Sequence, residues 1–305
     1  MNPKLSREDE PCGILLLDKP QGLTSTQALG QAKRLLGARK AGHTGSLDPI
    51  ASGLLPICFG EATKVSPFLL NSDKEYQVTV RLGITTTTGD ADGEISGRYF
   101  VPELSEEVIE YTLDRFRGEI EQIPPMYSAL KQKGKRLYDL ARQGITVPRS
   151  PRKVIIRALR LCQFGTDWLE LEIACSKGTF IRTLAEDVGQ TLGTGACVES
   201  LRRIRVGDFH IEQAVALERL AQMPLTERRA LLLPVDCALS ACAQVIVADE
   251  MSFYLLRGQA VMIPKLKAKG YVRLYNRGGN FLGVGEVLDD GRVAPRRLFK
   301  LKPST

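Results

Sequence analysis

Apolar and polar positions divide the chain into short, well-punctuated elements. Gly13 to Leu17 is an apolar run read as a buried strand, ending at Lys19-Pro20-Gln21-Gly22, where Pro and Gly suit a tight turn. Thr24 and Gln27 can form a capping box, after which Ala28, Leu29, Ala32, Leu35 and Leu36 recur at helical spacing until Gly37. A glycine-punctuated loop, Ala41 to Asp48, leads to a strand around Leu54 to Phe59. Tyr76, Val78, Val80 and Leu82 alternate with Glu75, Gln77, Thr79 and Arg81, the pattern of a half-buried strand. The next stretch, Thr85 to Gly93, is polar. Its Asp90-Ala91-Asp92-Gly93 resembles the start of a calcium loop but lacks the bidentate Glu at the required offset, so it is read as a turn.

Glu106 to Arg117 has the periodicity of an amphipathic helix closed by Gly118. Ile123 to Pro151 is proline-bounded and basic, with one short helix near Leu137 to Arg142, and reads as an excursion from the sheet. Strands follow near Val154 to Phe164 and Trp168 to Cys175, then a helix from Phe180 to Leu192 ended by Gly193. Another strand carries Leu201, Arg202, Arg203 and Arg205, and Ala214 to Leu233 reads as helical with a break at Pro224. Beyond Ala238 the texture changes to short strands, Gln244–Ala248, Gln259–Pro264, Tyr271–Tyr275, Phe281–Leu288 and Arg292–Phe299, joined by Gly- and Asn- or Asp-rich turns. A large domain, 10–240, with its insertion at about 124–152, and a small β-domain, 244–302, are expected.

Charge sharpens this picture. The net charge is +7, yet Lys131 to Arg160 holds ten Lys or Arg and one acidic residue, and Lys265 to Lys302 holds ten basic and three acidic residues. The remainder is net acidic. Positive charge gathered into two stretches is how a polyanion-binding surface is built. Seven cysteines form no C-x-x-C pair, and the two histidines, His43 and His210, are far apart, so neither a zinc site nor a disulfide framework is expected. Most of the cysteines read as small core residues. No apolar run approaches the roughly 18 residues of a membrane span. Met1 to Pro11 is polar with three acidic residues, unlike a signal peptide, so a cytoplasmic location is expected. No phosphate-binding loop, nucleophile elbow or dinucleotide fingerprint is present, which removes most weight from nucleotide hydrolysis and hydride transfer.

Three segments carry candidate chemistry. In Gly42-His43-Thr44-Gly45-Ser46-Leu47-Asp48-Pro49 a lone aspartate before proline is held extended between Gly-rich turns. Tyr76 lies on the alternating strand. In Cys175 to Leu184 a strand turns into a helix with Arg182 in its first turn, where a cation opposes the helix dipole and invites an acidic partner.

On these residues the chain resembles the bacterial tRNA pseudouridine-55 synthases of the TruB family. Asp18 to Ser25 matches their opening motif, and Gly42 to Pro56, continued by Phe59 to Lys64, matches their catalytic motif. Pro124 to Lys131 and Gly134 to Tyr138 match their RNA-gripping insertion; Cys175 to Leu184 and Leu201-Arg202-Arg203 match the third core motif and its neighbour. The C-terminal part is similar to the small RNA-binding PUA domain.

The resemblance implies an α+β fold, a curved mixed or antiparallel sheet with flanking helices plus a small β-barrel-like domain. It implies isomerisation of a uridine in the tRNA T-arm loop, position 55, after base flipping. Asp48, Tyr76 and Arg182 take the catalytic positions; His43, Tyr76, Phe180 and Leu201 take the substrate-binding ones. Phe180 departs from the tyrosine common there, keeping the ring and losing the hydroxyl. No metal or organic cofactor is implied, no membrane, and no obligate protein partner; a monomer acting on tRNA is expected. The rival readings are a non-catalytic RNA-binding or tRNA-folding protein using the same basic surface, and a guide-RNA-dependent synthase within a multi-protein particle. The intact Asp48, Tyr76 and Arg182 set favours an enzyme over the first, and the chain's own basic insertion favours stand-alone recognition over the second.

Overall fold

The computed structural model describes residues 10–128, 130–132, 134–264 and 266–299. Lys133 of the basic excursion, and residues 300–302 of the expected C-terminal domain, lie outside them. In chain order the first part contributes strands β1 (Gly13–Lys19), β2 (Ala41–His43), β3 (Ala51–Phe59), β4 (Lys74–Leu82), β5 (Ile84–Thr86), β6 (Ile95–Arg98) and β7 (Gly118–Gln122). These are followed by β8 (Lys131–Gln132), β9 (Lys135–Arg136), β10 (Arg152–Phe164), β11 (Trp168–Cys175), β12 (Ala196–Val206), β13 (Phe209–His210) and β14 (Val215–Ala216). Helices α1 (Ser25–Leu35), α2 (Ser66–Leu70), α3 (Glu106–Asp114), α4 (Leu137–Ala141), α5 (Ile181–Leu192), α6 (Leu217–Gln222) and α7 (Leu225–Ala230) connect or cover them.

Ten of these strands form one mixed sheet of order β14-β1-β3-β12-β4-β11-β10-β7, with β2 added to β3 and β13 to β12. All pairings are antiparallel except β1 with β14 and β3 with β12. The fold is therefore α+β. The alternation on β4 works as the periodicity predicts: Val78, Val80 and Leu82 are buried beneath helices, joined by Leu169, Leu171 and Ile173 from β11. Helix α5 lays Ile181, Leu184, Ala185 and Val188 on that layer and ends at Gly193 in the left-handed conformation. The Thr24–Gln27 capping box forms as read.

The C-terminal part forms a second sheet of β15 (Ala243–Val247), β16 (Val261–Met262), β17 (Gly270–Asn276), β18 (Phe281–Val287) and β19 (Arg292–Leu298), in the order β15-β17-β18-β19-β16. It has its own apolar cluster, including Val245, Leu255, Val272 and Leu274. Val284 from this sheet and Phe299, just after β19, share a further cluster with Ile14, Leu54 and Val65, so an apolar seam joins the two sheets.

Four readings are corrected. Ala214 to Leu233 is not continuously helical, because Val215 and Ala216 first pair with Leu17 and Asp18 as an edge strand. Helix α8 (Asp249–Leu256) interrupts the expected run of C-terminal strands; its weak amphipathic pattern hid it. The polar stretch from Thr85 opens on a hairpin, with Ile84–Thr86 paired to Ile95–Arg98. Of the seven cysteines only Cys58, Cys175 and Cys197 are buried, while Cys12 and Cys162 are exposed. No described helix is long and apolar enough to cross a membrane.

Candidate active site

The site begins where β3 and β12 run side by side. Gly53 has φ +102° and faces Arg203 across the pair; a Cβ there would sit 2.3 Å from the Arg203 carbonyl, so only glycine allows this approach. The loop before β3 carries Asp48. It is tied down at several points: Ser25, the first residue of α1, donates from Oγ to the Leu47 carbonyl (3.0 Å) and accepts from the Leu47 N–H (2.7 Å). The Pro49 carbonyl accepts from the Gly22 N–H at 2.8 Å, and the Asp48 carbonyl from the Ala51 N–H at 3.1 Å. Asp48 thus stands on a loop whose two neighbours are both held.

Its partner comes from α5. Arg182 Nη2 lies 3.0 Å from Asp48 Oδ2, with the Arg182 side chain 8% exposed and the Asp48 side chain 43% exposed. A second carboxylate holds the other nitrogen: Nη1 lies 3.1 Å from Asp90 Oδ2, and the Asp90 side chain is only 5% exposed. Nη1 also donates to the Thr88 carbonyl (2.8 Å) and Nη2 to the Tyr127 carbonyl (2.7 Å). One guanidinium therefore bridges a hidden aspartate and an accessible one. Although its tip is open, protein surrounds Asp48 closely enough that burial pushes its carboxyl above the ordinary range. Arg182 and Lys19 oppose that rise, and the charges of Asp90 and Asp92 add to it.

Tyr76 on β4 stands opposite Arg203 on β12, cross-strand neighbours. The residue is half-buried but its hydroxyl is enclosed, which pushes its pKa up, with the Arg203 charge pulling it back. Arg203 is itself 1% exposed and donates from Nε to the Leu54 carbonyl (2.7 Å), from Nη2 to Gly45 (3.2 Å) and from Nη1 to Ser46 (3.4 Å). It clamps the loop that carries Asp48. Lys19 is fully buried, donating to the carbonyls of Leu23 (2.6 Å) and Pro20 (2.8 Å), and burial lowers its pKa to about 8.

The remaining sequence-predicted residues fall around this centre. His43 ends β2, is half-buried, and has its Nδ1 enclosed without a hydrogen-bond partner; burial first, then the Arg203 charge, lowers its pKa. Phe180 caps α5 through its backbone: its N–H donates to Gln122 Oε1 (3.0 Å) and its carbonyl accepts from Gln122 Nε2 (3.2 Å). Leu201 is 7% exposed in the main apolar cluster, paired with Ala51 and Val78, a packing residue beneath the loop. Asp48, Arg182 and Tyr76 are brought together.

Sequence reasoning missed Asp90, Arg203, Lys19 and Gln122. Asp90 lay in the tetrad read as a turn; the turn exists, but a bridge to Val198 carries it under α5. No group of three or more metal-ligating side chains is present among the described residues.

Comparisons with known proteins bear on the family. The profile of the TruB family pseudouridylate synthase N-terminal domain matches residues 33–181, and two TruB C-terminal profiles match residues 182–240 and 243–299. The tRNA pseudouridine synthase B of Nitrosococcus oceani is 52% identical over 290 residues, covering 94% of each chain. That of Coxiella burnetii is 49% identical over 303 residues, covering 98% of each. A chain in a solved H/ACA ribonucleoprotein bound to a substrate RNA containing 2′-deoxyuridine shares the fold, with TM-score 0.74 and 22% identity over 99% of this chain and 92% of that one. With half its residues identical to those of such relatives along almost its whole length, the chain belongs to the TruB family of pseudouridine synthases.

Proposed function

We propose that the protein isomerises a uridine of tRNA, in the T-arm loop at position 55, to pseudouridine, with Asp48 as the indispensable carboxylate. The observation that carries this reading is the asymmetry of the ion pair. Arg182 is sealed in, whereas Asp48 is 43% exposed, so a substrate can reach the carboxylate while its counter-charge stays fixed. The N1–C1′ bond breaks, the uracil turns, C5 bonds to C1′, the C5 proton is lost and N1 gains one. Three routes need an ionised Asp48: an ester with C1′, addition to the ring at C6, or removal of the C2′ proton.

Reaching such a carboxylate requires the base to leave its stack, at a cost of a few kcal/mol. Stacking on an aromatic face offsets that by roughly 1–3 kcal/mol per base, and Tyr76, close enough to feel the Asp48 charge, supplies the ring. His43, half-buried at the end of β2, supports the RNA bases beside the loop. Phe180 and Leu201 complete the apolar surroundings of the uracil.

The basic insertion at 124–152 grips phosphates, with Lys131, Lys135 and Arg142 lining one open hollow on it. Its continuation in β10 is less available, since Lys153 pairs with Glu119 and Arg157 with Asp73. The unit 10–240 carries the chemistry and the unit 244–302 extends the RNA contact. The protein acts as a monomer, without guide RNA or cofactor.

The test is Asp48→Asn. Pseudouridine, resolved from uridine by nucleoside chromatography of a treated tRNA transcript, falls below detection, while tRNA affinity stays within about tenfold, or roughly 1.4 kcal/mol. The melting temperature does not fall. A carboxyl whose folded pKa is raised contributes stability below its unfolded pKa and loses it as pH rises through the folded one, so the ionised Asp48 is a burden at neutral pH. Conversion at a near-normal rate by Asp48→Asn overturns the assignment.

A further inference from the structure

Where the C-terminal sheet meets α2, a cleft of about 610 Å³ opens that shares no residue with the Asp48 site. Phe68 from α2 and Tyr271 from β17 meet edge-to-face there, ring centroids 5.4 Å apart, and Tyr271 is still 48% exposed. The rim is cationic: Lys64, Arg296 and Arg297 line it against a single carboxylate, Glu286. Glu286 is taken by Arg296. Lys64 donates to the Leu298 carbonyl at 2.7 Å, pairs with Glu61, and lies over the Phe299 ring. Arg297 is exposed and bonds only to the Arg296 carbonyl, 2.9 Å, with no carboxylate partner among the described residues.

A free guanidinium beside an open aromatic face, in a hollow of nucleotide size, matches one base and its phosphate. An acidic peptide would use the cations but leave the ring face unused. The cleft is also close to the chemistry. Asn71, on its wall, precedes Tyr76 by five residues, a span of at most about 18 Å. Lys177 Nζ donates to Asn71 Oδ1 at 2.8 Å, five residues before Arg182.

We propose that this cleft holds an unpaired nucleotide of the substrate RNA other than the uridine at Asp48, its base on Tyr271 and its phosphate on Arg297. The proposal rests on the reading of the chain as an RNA-modifying enzyme, but its test reads binding rather than product.

A tRNA transcript containing 4-thiouridine, irradiated on the full-length protein and mapped by mass spectrometry, gives crosslinks to the peptide carrying Tyr271. In filter binding, the double variant Tyr271→Ala, Arg297→Gln weakens affinity for the transcript about tenfold. It also lowers the slope of log K against log salt by roughly 0.7–0.9, the share of one phosphate contact. Single-turnover rate at saturating RNA is unchanged, and Tyr271→Trp, with Arg297 intact, binds like the parent. Unchanged affinity with no crosslink at Tyr271 overturns the proposal, as does a loss of affinity that Tyr271→Trp shares. Absence of pseudouridine from the parent protein would instead count against the proposed activity and leave these binding readouts intact.

Discussion

Two arginines, Arg182 and Arg203, are buried within the same few turns of chain around Asp48, and they are held in opposite ways. Arg182 faces two carboxylates and two carbonyls. Arg203 faces three carbonyls and a tyrosine hydroxyl, with no carboxylate in hydrogen-bond reach among the described residues. The first is a charge device: it keeps a half-open aspartate ionised and is itself anchored by a hidden one. The second is a geometric device, whose planar fork ties together Gly45, Ser46 and Leu54 on either side of Asp48. Its charge falls instead on neighbouring bases: burial lowers the pKa values of Lys19, His43 and Lys74, and the Arg203 charge adds a smaller push in the same direction. One site thus needs two buried cations because loop shape and carboxylate charge are separate requirements.

Removing Arg182 has the largest expected effect. Arg182→Met abolishes turnover and strands Asp90, 4% exposed, as a buried charge without its cation. Breaking such a pair costs about 3–5 kcal/mol in urea unfolding. The double variant Arg182→Met, Asp90→Asn recovers most of that stability and none of the activity. Equal stability of the single and double variants would show that Asp90 is not the anchor.

Arg203→Lys keeps the charge and loses the fork. A single ammonium cannot span the carbonyls of Gly45, Ser46 and Leu54 as the fork does, and leaving one of them without a donor lowers stability by about 1–3 kcal/mol. Turnover falls about tenfold while tRNA affinity holds, because the loop loosens without losing its carboxylate. A turnover loss as deep as that of Arg182→Met would erase the distinction between the two devices.

The acid limb of the pH–rate profile separates them more finely. Asp48 must be ionised, so turnover drops as pH falls through its raised pKa. Arg182→Lys, a poorer partner at the same place, moves the limb to higher pH. Asp90→Asn removes a charge that pushes Asp48 up, and moves the limb to lower pH even if the rate suffers. Arg203 bonds to carbonyls and not to Asp48, and Arg203→Lys keeps its charge, so the limb stays in place.

Much of this was legible in the residues. The capping box, the β4 alternation and the α5 boundaries came from local rules, and the arginine in α5's first turn asked for an acid that the structure supplies twice. What was hidden depended on contacts distant in sequence. Asp90 and Arg182 are 92 residues apart, and Asp90 reaches α5 only because its loop bridges to Val198. Arg203 read as one of several cations on a strand, since periodicity cannot tell a guanidinium pointing into a loop from one facing water. Helix α8 escaped because short helices with weak amphipathicity leave no period to find.

The smallest predicted effect tests Arg203's electrostatic side alone. His43 and His210 are the only histidines in the chain, so both imidazoles can be followed by proton NMR across a pH titration. His43 titrates below the ordinary histidine range, chiefly through burial and secondarily through the Arg203 charge. Arg203→Gln, which keeps donors for at most two of the carbonyls, removes only the secondary cause. The His43 midpoint therefore rises toward 6.5 without reaching it. Below the unfolded pKa the neutral folded imidazole opposes folding, so stability rises with pH through the window between the lowered folded value and about 6.5. Arg203→Gln narrows that window. An unmoved His43 midpoint would mean that the guanidinium's charge is screened from the loop, leaving Arg203 with geometry as its sole contribution.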